Sequence, residues 1–323
     1  MLKKEPKPIY IFDKCIYQSM KWIFLCLLLC GLVFKAMYNF DDSPYFAFPN
    51  LLDLLCFIVI SAVLFCIIKY SDIIEARLNY IVLTVVFAGA ALFYIFMVPL
   101  VPFSDMAHVS EGAQLIGDGN IAQIIETSYL QFVVKNLKVS LFYGFFAWVF
   151  VNNVLTFKIL NIVLYILTAY YISKICNNYK FKYPKMIYAV VLGFLPLFLY
   201  SNHIYFDIPV LFFCTLALYF YSRDFSGKSM MIAMALLGFA CCLRILALIP
   251  AIAILIDYIL RNYKTIFAAF NKSQLYLLIA VLFIIGLPMA CDGIVKTAFK
   301  VNSDLEESIW TNFYVGTNEE EFG

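Results

Sequence analysis

Apolar stretches of membrane-crossing length recur along most of the chain, separated by short polar breaks. A helix that spans a bilayer needs about 20 mainly apolar residues. Candidate spans fall at 20–38, 50–69, 79–100, 154–174, 186–201, 206–222, 229–243, 245–260 and 274–291. The apolar run from 229 to 260 is too long for one crossing, and Arg244 divides it. It is read as two crossings joined by a tight turn at Arg244. The pattern predicts an all-α integral membrane protein with about 9–10 transmembrane helices in a single polytopic domain, 1–323.

The regular alternation is interrupted between 101 and 153. Val109, Ala113 and Ile116 recur at helical spacing, and Ile121, Ile124 and Ile125 do so again after the turn Gly117-Asp118-Gly119-Asn120. This predicts two short amphipathic helices resting on the membrane surface. The stretch 129–153 is apolar and aromatic. One crossing there would invert every later loop, so a hairpin or a helix lying in the interface is expected instead. Long structured loops tend to carry function.

Composition supports the membrane assignment. The chain is 64% hydrophobic and 14% charged, with a mean hydropathy of +0.89. Soluble domains average about 45–50% apolar and about 25% charged. A net charge of +2 gives no reason to expect a nucleic-acid partner. The ten cysteines are scattered, mostly within apolar runs, without a C-x-x-C pair, and there are only two histidines. Cysteine in such runs behaves as a small hydrophobe, and no His/Cys metal site is expected.

Charge also orients the chain. Cytoplasmic loops carry the excess of Lys and Arg. With the N-terminus in the cytoplasm, the inner side collects Lys3, Lys4, Lys7, Lys14, Lys21, Lys69, Arg77, Lys174, Lys180, Lys182, Lys185, Arg223, Lys228, Arg261, Lys264 and Lys272. The outer side collects Asp41, Asp42, Asp105, Asp207 and the acidic tail 292–323. The first apolar run lacks a small-residue cleavage site and reads as an uncleaved anchor. The tail has the look of a loop cut off midway. The expected location is the plasma membrane, crossed several times, with membrane lipids as neighbours.

Candidate chemistry lies at the outer ends of the spans. Asp105 follows directly on the apolar run 79–100. Ionisable side chains at a membrane boundary tend to be functional. Asp105 is read as a carboxylate that deprotonates or positions an incoming hydroxyl; the plainer alternative is that Ser104 or Asp105 caps the following helix. Arg244 offers a fork of donors suited to phosphate, or it snorkels to water beside a turn. Lys158, one turn into its span, is a second cation with the same two readings. Asp207 and Tyr205 are candidate sugar or acceptor contacts, and Asp207 is equally a helix cap. His108 and Glu111 follow Asp105 by one to two turns and either share its site or lie on a wetted surface.

These residues resemble motifs of the GT-C superfamily of glycosyltransferases, closest to the bacterial family 39 and protein-mannosyltransferase-like group. Pro102-Phe103-Ser104-Asp105 with Ala113-Gln114-Leu115-Ile116 resembles the first-loop motif. Phe157-Lys158-Ile159-Leu160-Asn161, Ile204-Tyr205-Phe206-Asp207-Ile208-Pro209, Leu243-Arg244, and Gly316-Thr317-Asn318 with Gly323 resemble later ones. The similarity covers roughly residues 80–323, short of the family's C-terminal part. It implies an inverting transfer of a sugar from a polyprenyl-phosphate donor to a cell-envelope glycan, lipid or protein on the extracytoplasmic face. In it Asp105 is the catalytic residue, and Arg244 and Lys158 bind the donor phosphate. Some members use a divalent cation held by carboxylates. No outer Asp-x-Asp motif is present here, so a metal ligand is not assigned and the cation stays open. The competing readings are a transporter or flippase, an O-antigen-type polymerase, and an inactive fragment.

Overall fold

The computed structural model describes residues 18–19, 22–23, 35–38, 44–47, 51–126, 129–130, 133–266 and 271–301. The chain divides into two compact units, Met1–Arg77 with Ile259–Tyr263, and Leu78–Tyr258 with Lys264–Gly323. In the first unit β1 (Lys35–Tyr38) pairs antiparallel with β2 (Pro44–Ala47), Lys35 opposite Ala47 and Tyr38 opposite Pro44. The expected span 20–38 therefore does not run as helix to its end; most of its remainder lies outside the described residues. α1 (Leu51–Lys69) and the short α2 (Ser71–Arg77) follow.

The second unit begins with α3 (Tyr80–Met97), whose start is capped by Asn79 accepting from the Ile81 N–H. The expected amphipathic pair is present as α4 (Asp105–Gly117) and α5 (Ile121–Glu126). Of the two forms expected for 129–153, a hairpin or an interfacial helix, the described residues show no hairpin but one continuous helix, α6 (Val134–Val149). Then come α7 (Val154–Asn178), α8 (Pro184–Leu192), α9 (Leu195–Tyr200), α10 (Asp207–Ser222), α11 (Gly227–Leu243), α12 (Leu248–Ile266) and α13 (Lys272–Ala298). Among the described residues, four helical segments are long and apolar enough to cross a membrane: Tyr80–Met97, Val154–Asn178, Ile245–Ile266 and Lys272–Ala298. The protein is an all-α membrane protein apart from the small hairpin.

Two expected helices have informative boundaries. The span 186–201 is broken into α8 and α9. Pro196 has no N–H to continue the ladder, and the Tyr165 hydroxyl donates to Val191 O at 2.5 Å, with Leu192 O and Phe194 O at 3.4 Å. That phenol covers carbonyls that the break exposes. The run 229–260 breaks at Arg244, as its sequence predicts: Arg244 is extended (φ −153°, ψ 122°), and a single 3-10 turn, Ile245–Ala247, leads into α12.

Contacts fix the two ends of this unit. At one end the Tyr80 hydroxyl meets Ser173 Oγ at 2.7 Å, Asn178 meets Ser222 at 2.9 Å, and Gly227 lies against Tyr276. This end carries Lys180 and Lys182 between α7 and α8, and Lys185 at the start of α8. At the other, Lys158 donates to Leu100 O at 2.7 Å, Asn202 donates to Val98 O at 3.1 Å, and Arg244 lies over Phe206. α6 starts and finishes near this second end. Its early residue Lys138 pairs with Asp292 at 2.6 Å, and just past its C-terminus Asn152 binds Asp118 at 2.7 Å and leads into α7. The helix therefore does not carry the chain to the opposite end, and Asp105, Tyr205, Asp207 and Arg244 stay together.

The most extensive helix contact is between α4 and α6. They run parallel, with Gly112 against Ser140, Gly144 against Ile116 and Ala113, and Gly117 against Ala147. Small residues at four-residue spacing, Ala113 and Gly117 facing Ser140 and Gly144, let the backbones approach closely. Ser140 Oγ closes the seam by donating to Val109 O at 3.1 Å.

Candidate functional site

α4 opens on a strained residue. Ser104 has φ 50°, a left-handed conformation that costs a non-glycine residue about 1–3 kcal/mol. Its side chain makes no cap bond. Asp105 does not cap the helix either. Its Oδ1 accepts from the Tyr129 hydroxyl, and its Oδ2 lies 3.0 Å from the Tyr205 hydroxyl. Asn136, buried in α6, donates from Nδ2 to the Tyr129 oxygen at 2.8 Å and presents Oδ1 to the Tyr205 hydroxyl at 3.1 Å. The carboxylate thus ends a four-residue polar cluster drawn from α4, the turn before α6, α6 itself and the turn before α10.

Burial pushes the Asp105 carboxyl up, but the bonds from Tyr129, Tyr205 and Asn136 and the charge of Lys135 outweigh it and hold it below the usual carboxylate range. Burial, together with the Asp105 charge and hydrogen bond, pushes both phenols up, so they remain protonated donors. The stabilisation that Asp105 draws from this cluster is complete above the unfolded carboxyl value of about 3.9 and is lost as pH falls through the lowered folded value. Difference infrared spectra of wild type against Asp105→Asn should show no protonated Asp105 carbonyl band between pH 8 and pH 5. Such a band rising within that window would contradict the geometry.

Tyr205 is held from beneath. The buried Tyr143 hydroxyl lies 2.7 Å from Asn161 Oδ1 and 2.8 Å from Tyr205 O, and Asn161 Nδ2 donates to His203 O at 2.7 Å. Removing one partner from a buried polar pair costs about 1–3 kcal/mol. Tyr143→Phe should therefore lower the urea midpoint of the detergent-solubilised protein by that equivalent; an unchanged midpoint would show that the clamp contributes nothing.

The next residue along, Phe206, carries the Arg244 guanidinium 4.1 Å from its ring centroid. Guanidinium over an aromatic face is favourable by about 0.5–2 kcal/mol. Among the described residues no ion pair or hydrogen bond occupies the Arg244 guanidinium donors. Its charge acts on both Tyr205 and Asp207. Tyr205, Phe206 and Asp207 therefore bring the Asp105 carboxylate and the Arg244 cation into one neighbourhood.

The other sequence candidates are placed as follows. His108 stacks on Tyr129, ring centroids 3.9 Å apart, and so borders the cluster. Glu111 is exposed on α4. Asp207 occupies the first turn of α10, where the helix dipole favours a carboxylate. Lys158 is 5% exposed and spends one N–H on Leu100 O, tethering the segment between α3 and α4. His203, placed 3.2 Å from Met106 Sδ, is pushed below its ordinary value by burial, opposed by Asp207 and reinforced by Lys158. Among the described residues no group of three or more His, Cys, Asp or Glu is arranged to hold a metal ion.

No protein-family model, curated protein or solved structure matches the chain.

Two members of the cluster, Tyr129 and Asn136, were not among the sequence candidates. A signal for Asn136 was present. Asn136, Ser140 and Tyr143 recur at helical spacing within an otherwise apolar stretch, a polar stripe that needs partners when buried. Tyr129 carries no comparable mark.

A cavity of about 460 Å³ opens among α6, α10, α11 and α13. Its wall is aromatic and aliphatic, including Phe142, Phe145, Phe146, Phe213 and Phe239, and it also includes Lys138 and Leu243, the residue before Arg244.

Proposed function

We propose that this protein transfers a sugar from a polyprenyl-phosphate donor to a hydroxyl of a cell-envelope glycan, lipid or protein on the extracytoplasmic face, with inversion. The observation that supports this reading most is the pairing of an ionised, phenol-held carboxylate with a stacked guanidinium, joined through the consecutive residues Tyr205 and Phe206. The order and type of the sequence motifs favour the same chemistry.

In this reading the acceptor O–H donates to Asp105. A carboxylate held below its usual range is a weak base, so it first orients the hydroxyl. It takes the proton as the new bond to the anomeric carbon forms and the oxygen becomes acidic. The anomeric carbon–oxygen bond to phosphate breaks on the opposite face, and polyprenyl phosphate leaves with the electron pair. Arg244 meets the charge developing on the phosphate, with Lys158 as a second cation at the same end. Asp207, Tyr205, His108 and Glu111 are candidate sugar or acceptor contacts. The apolar cavity beside Leu243 suits an isoprenoid chain. The cation-rich end of the bundle faces the cytoplasm, consistent with the bias of Lys and Arg.

The test uses membranes containing the full chain, labelled polyprenyl-phosphate sugar and an endogenous acceptor fraction. Transfer above that of membranes lacking the chain is expected. Hydrogen bonds to charged groups are each worth about 1.5–3 kcal/mol, so Arg244→Ala should raise the KM for donor roughly 10- to 100-fold. Arg244→Lys should fall between, because it keeps the charge but loses the planar fork and the stacking. Absence of transfer with a panel of donors, or an unchanged donor KM in both variants, would overturn the reading.

A further inference from the structure

Away from the Asp105 cluster, α11 and α13 pack in parallel with little room between their backbones. A Cβ built at Gly238 would lie 2.5 Å from Phe283 O and 3.0 Å from Leu287 Cδ1. One helical turn further on, the same two faces carry Cys242 and Cys291. The spacing is four residues on each helix, 238 to 242 and 287 to 291, so Cys242 and Cys291 fall on the same contacting faces. Cys242 Sγ donates to Gly238 O at 3.3 Å, and the two thiols are close enough to act on each other electrostatically. Both line the cavity described above, and Cys291 is only half-buried, so a small reagent in the cavity reaches it. The other buried thiol of α11, Cys241, has no such partner on α13.

We propose that Cys242 and Cys291 are a modification site: a dithiol that closes to a disulfide by exchange with a small-molecule or protein disulfide. A disulfide requires Cα atoms about 4.4–6.8 Å apart with facing Cβ vectors; the tight contact at Gly238 one turn away and the shared cavity wall make the two residues neighbours. The Cys291 thiolate attacks the disulfide RS–SR and forms a mixed disulfide, releasing one RSH after protonation. The Cys242 thiolate then attacks the Cys291 sulfur and expels the second RSH. Two cysteine thiols and RS–SR become one cystine and two RSH. Closing the bond staples α11 to α13. It also fixes Asp292, the residue after Cys291, and with it Lys138 at the start of α6. Asn136 of the polar cluster lies on that same first turn of α6, so the staple bears on the geometry around Asp105. The exchange itself does not depend on what reaction the protein catalyses.

The full chain in membranes is incubated with dithiothreitol or with oxidised glutathione, quenched in acid, and alkylated under denaturing conditions with one maleimide, then reduced and alkylated with a second. Non-reducing peptide mapping identifies linked peptides. With oxidised glutathione, the expected result is a loss of two alkylatable thiols per chain and a peptide linking Cys242 to Cys291, both reversed by dithiothreitol. Cys242→Ser should instead leave a glutathione adduct on Cys291, which the wild type resolves. If the wild type keeps both thiols alkylatable, accumulates the Cys291 adduct, or links Cys242 to Cys241 or Cys214 as readily, the proposal is wrong. The wild-type arm alone decides the matter if a serine variant fails to fold.

Discussion

Asp105→Asn should lower sugar transfer by about 10²–10⁴-fold while the amount of folded protein in the membrane stays near that of wild type. The two halves of this expectation come from the same cluster. Asparagine keeps the shape of the side chain and one oxygen acceptor for a phenol, while the amide nitrogen can no longer accept. The phenol left over is Tyr205, whose hydroxyl already lies 3.1 Å from Asn136 Oδ1 and can turn to it. The cluster therefore stays satisfied, and only the ability to accept a proton is removed. Transfer at the wild-type rate in Asp105→Asn would remove Asp105 from the reaction. Loss of the protein from the membrane would instead show that its charge holds α4 to α6.

Gly144→Ala is expected to destabilise the protein by about 1–3 kcal/mol, and Gly144→Val by more. On an unpartnered helix the first change would stabilise, because glycine costs about 0.5–1 kcal/mol relative to alanine. The sign reverses here because a Cβ at position 144 would lie 2.6 Å from both Ile116 Cβ and Ile116 Cγ2. Those atoms sit close to the α4 backbone and cannot swing away as the tip of a long chain would. α4 carries Asp105 and α6 carries Asn136, so transfer should fall along with stability. Gly89→Ala is the matched control: nothing lies within 4 Å of a Cβ there, and the same substitution should be neutral or mildly stabilising. Chemical unfolding in detergent, followed for all three variants, separates the two cases. Equal effects at 89 and 144 would mean that the seam between α4 and α6 is not tightly closed.

Much of the architecture was legible because it is local. Apolar run length and a lone Arg244 suffice to mark the ends of α11 and α12. Helical spacing of Val109, Ala113, Ile124 and Ile125 suffices for α4 and α5. The break between α8 and α9 was missed although Pro196 signals it, because the run 186–201 is apolar throughout and its length alone suggested one crossing. For 129–153 the charge pattern argued against a crossing, but an apolar, aromatic stretch of that length fits a hairpin and an interfacial helix equally well. Its course is set by the glycine, alanine and serine seam against α4, a contact between segments more than twenty residues apart.

The candidate site divides in the same way. Asp105, Tyr205, Asp207 and Arg244 stood out because each is polar at the boundary of an apolar run, and the cost of burying such groups makes their positions conspicuous in one dimension. Lys158 stood out for the same reason, yet its immediate partner is the Leu100 carbonyl, which no sequence pattern names. Tyr129 and Asn136 reach Asp105 only because α4 and α6 run parallel at close range, and Tyr205 reaches it only because Tyr143 and Asn161 hold the turn before α10. Hydrophobic run length and charge placement are properties of neighbouring residues, and they suffice to specify a helical membrane protein with its polar candidates at helix ends. Which hydroxyl meets which carboxylate depends on helix direction and on the small residues that let two backbones touch, and those are contacts between segments far apart along the chain.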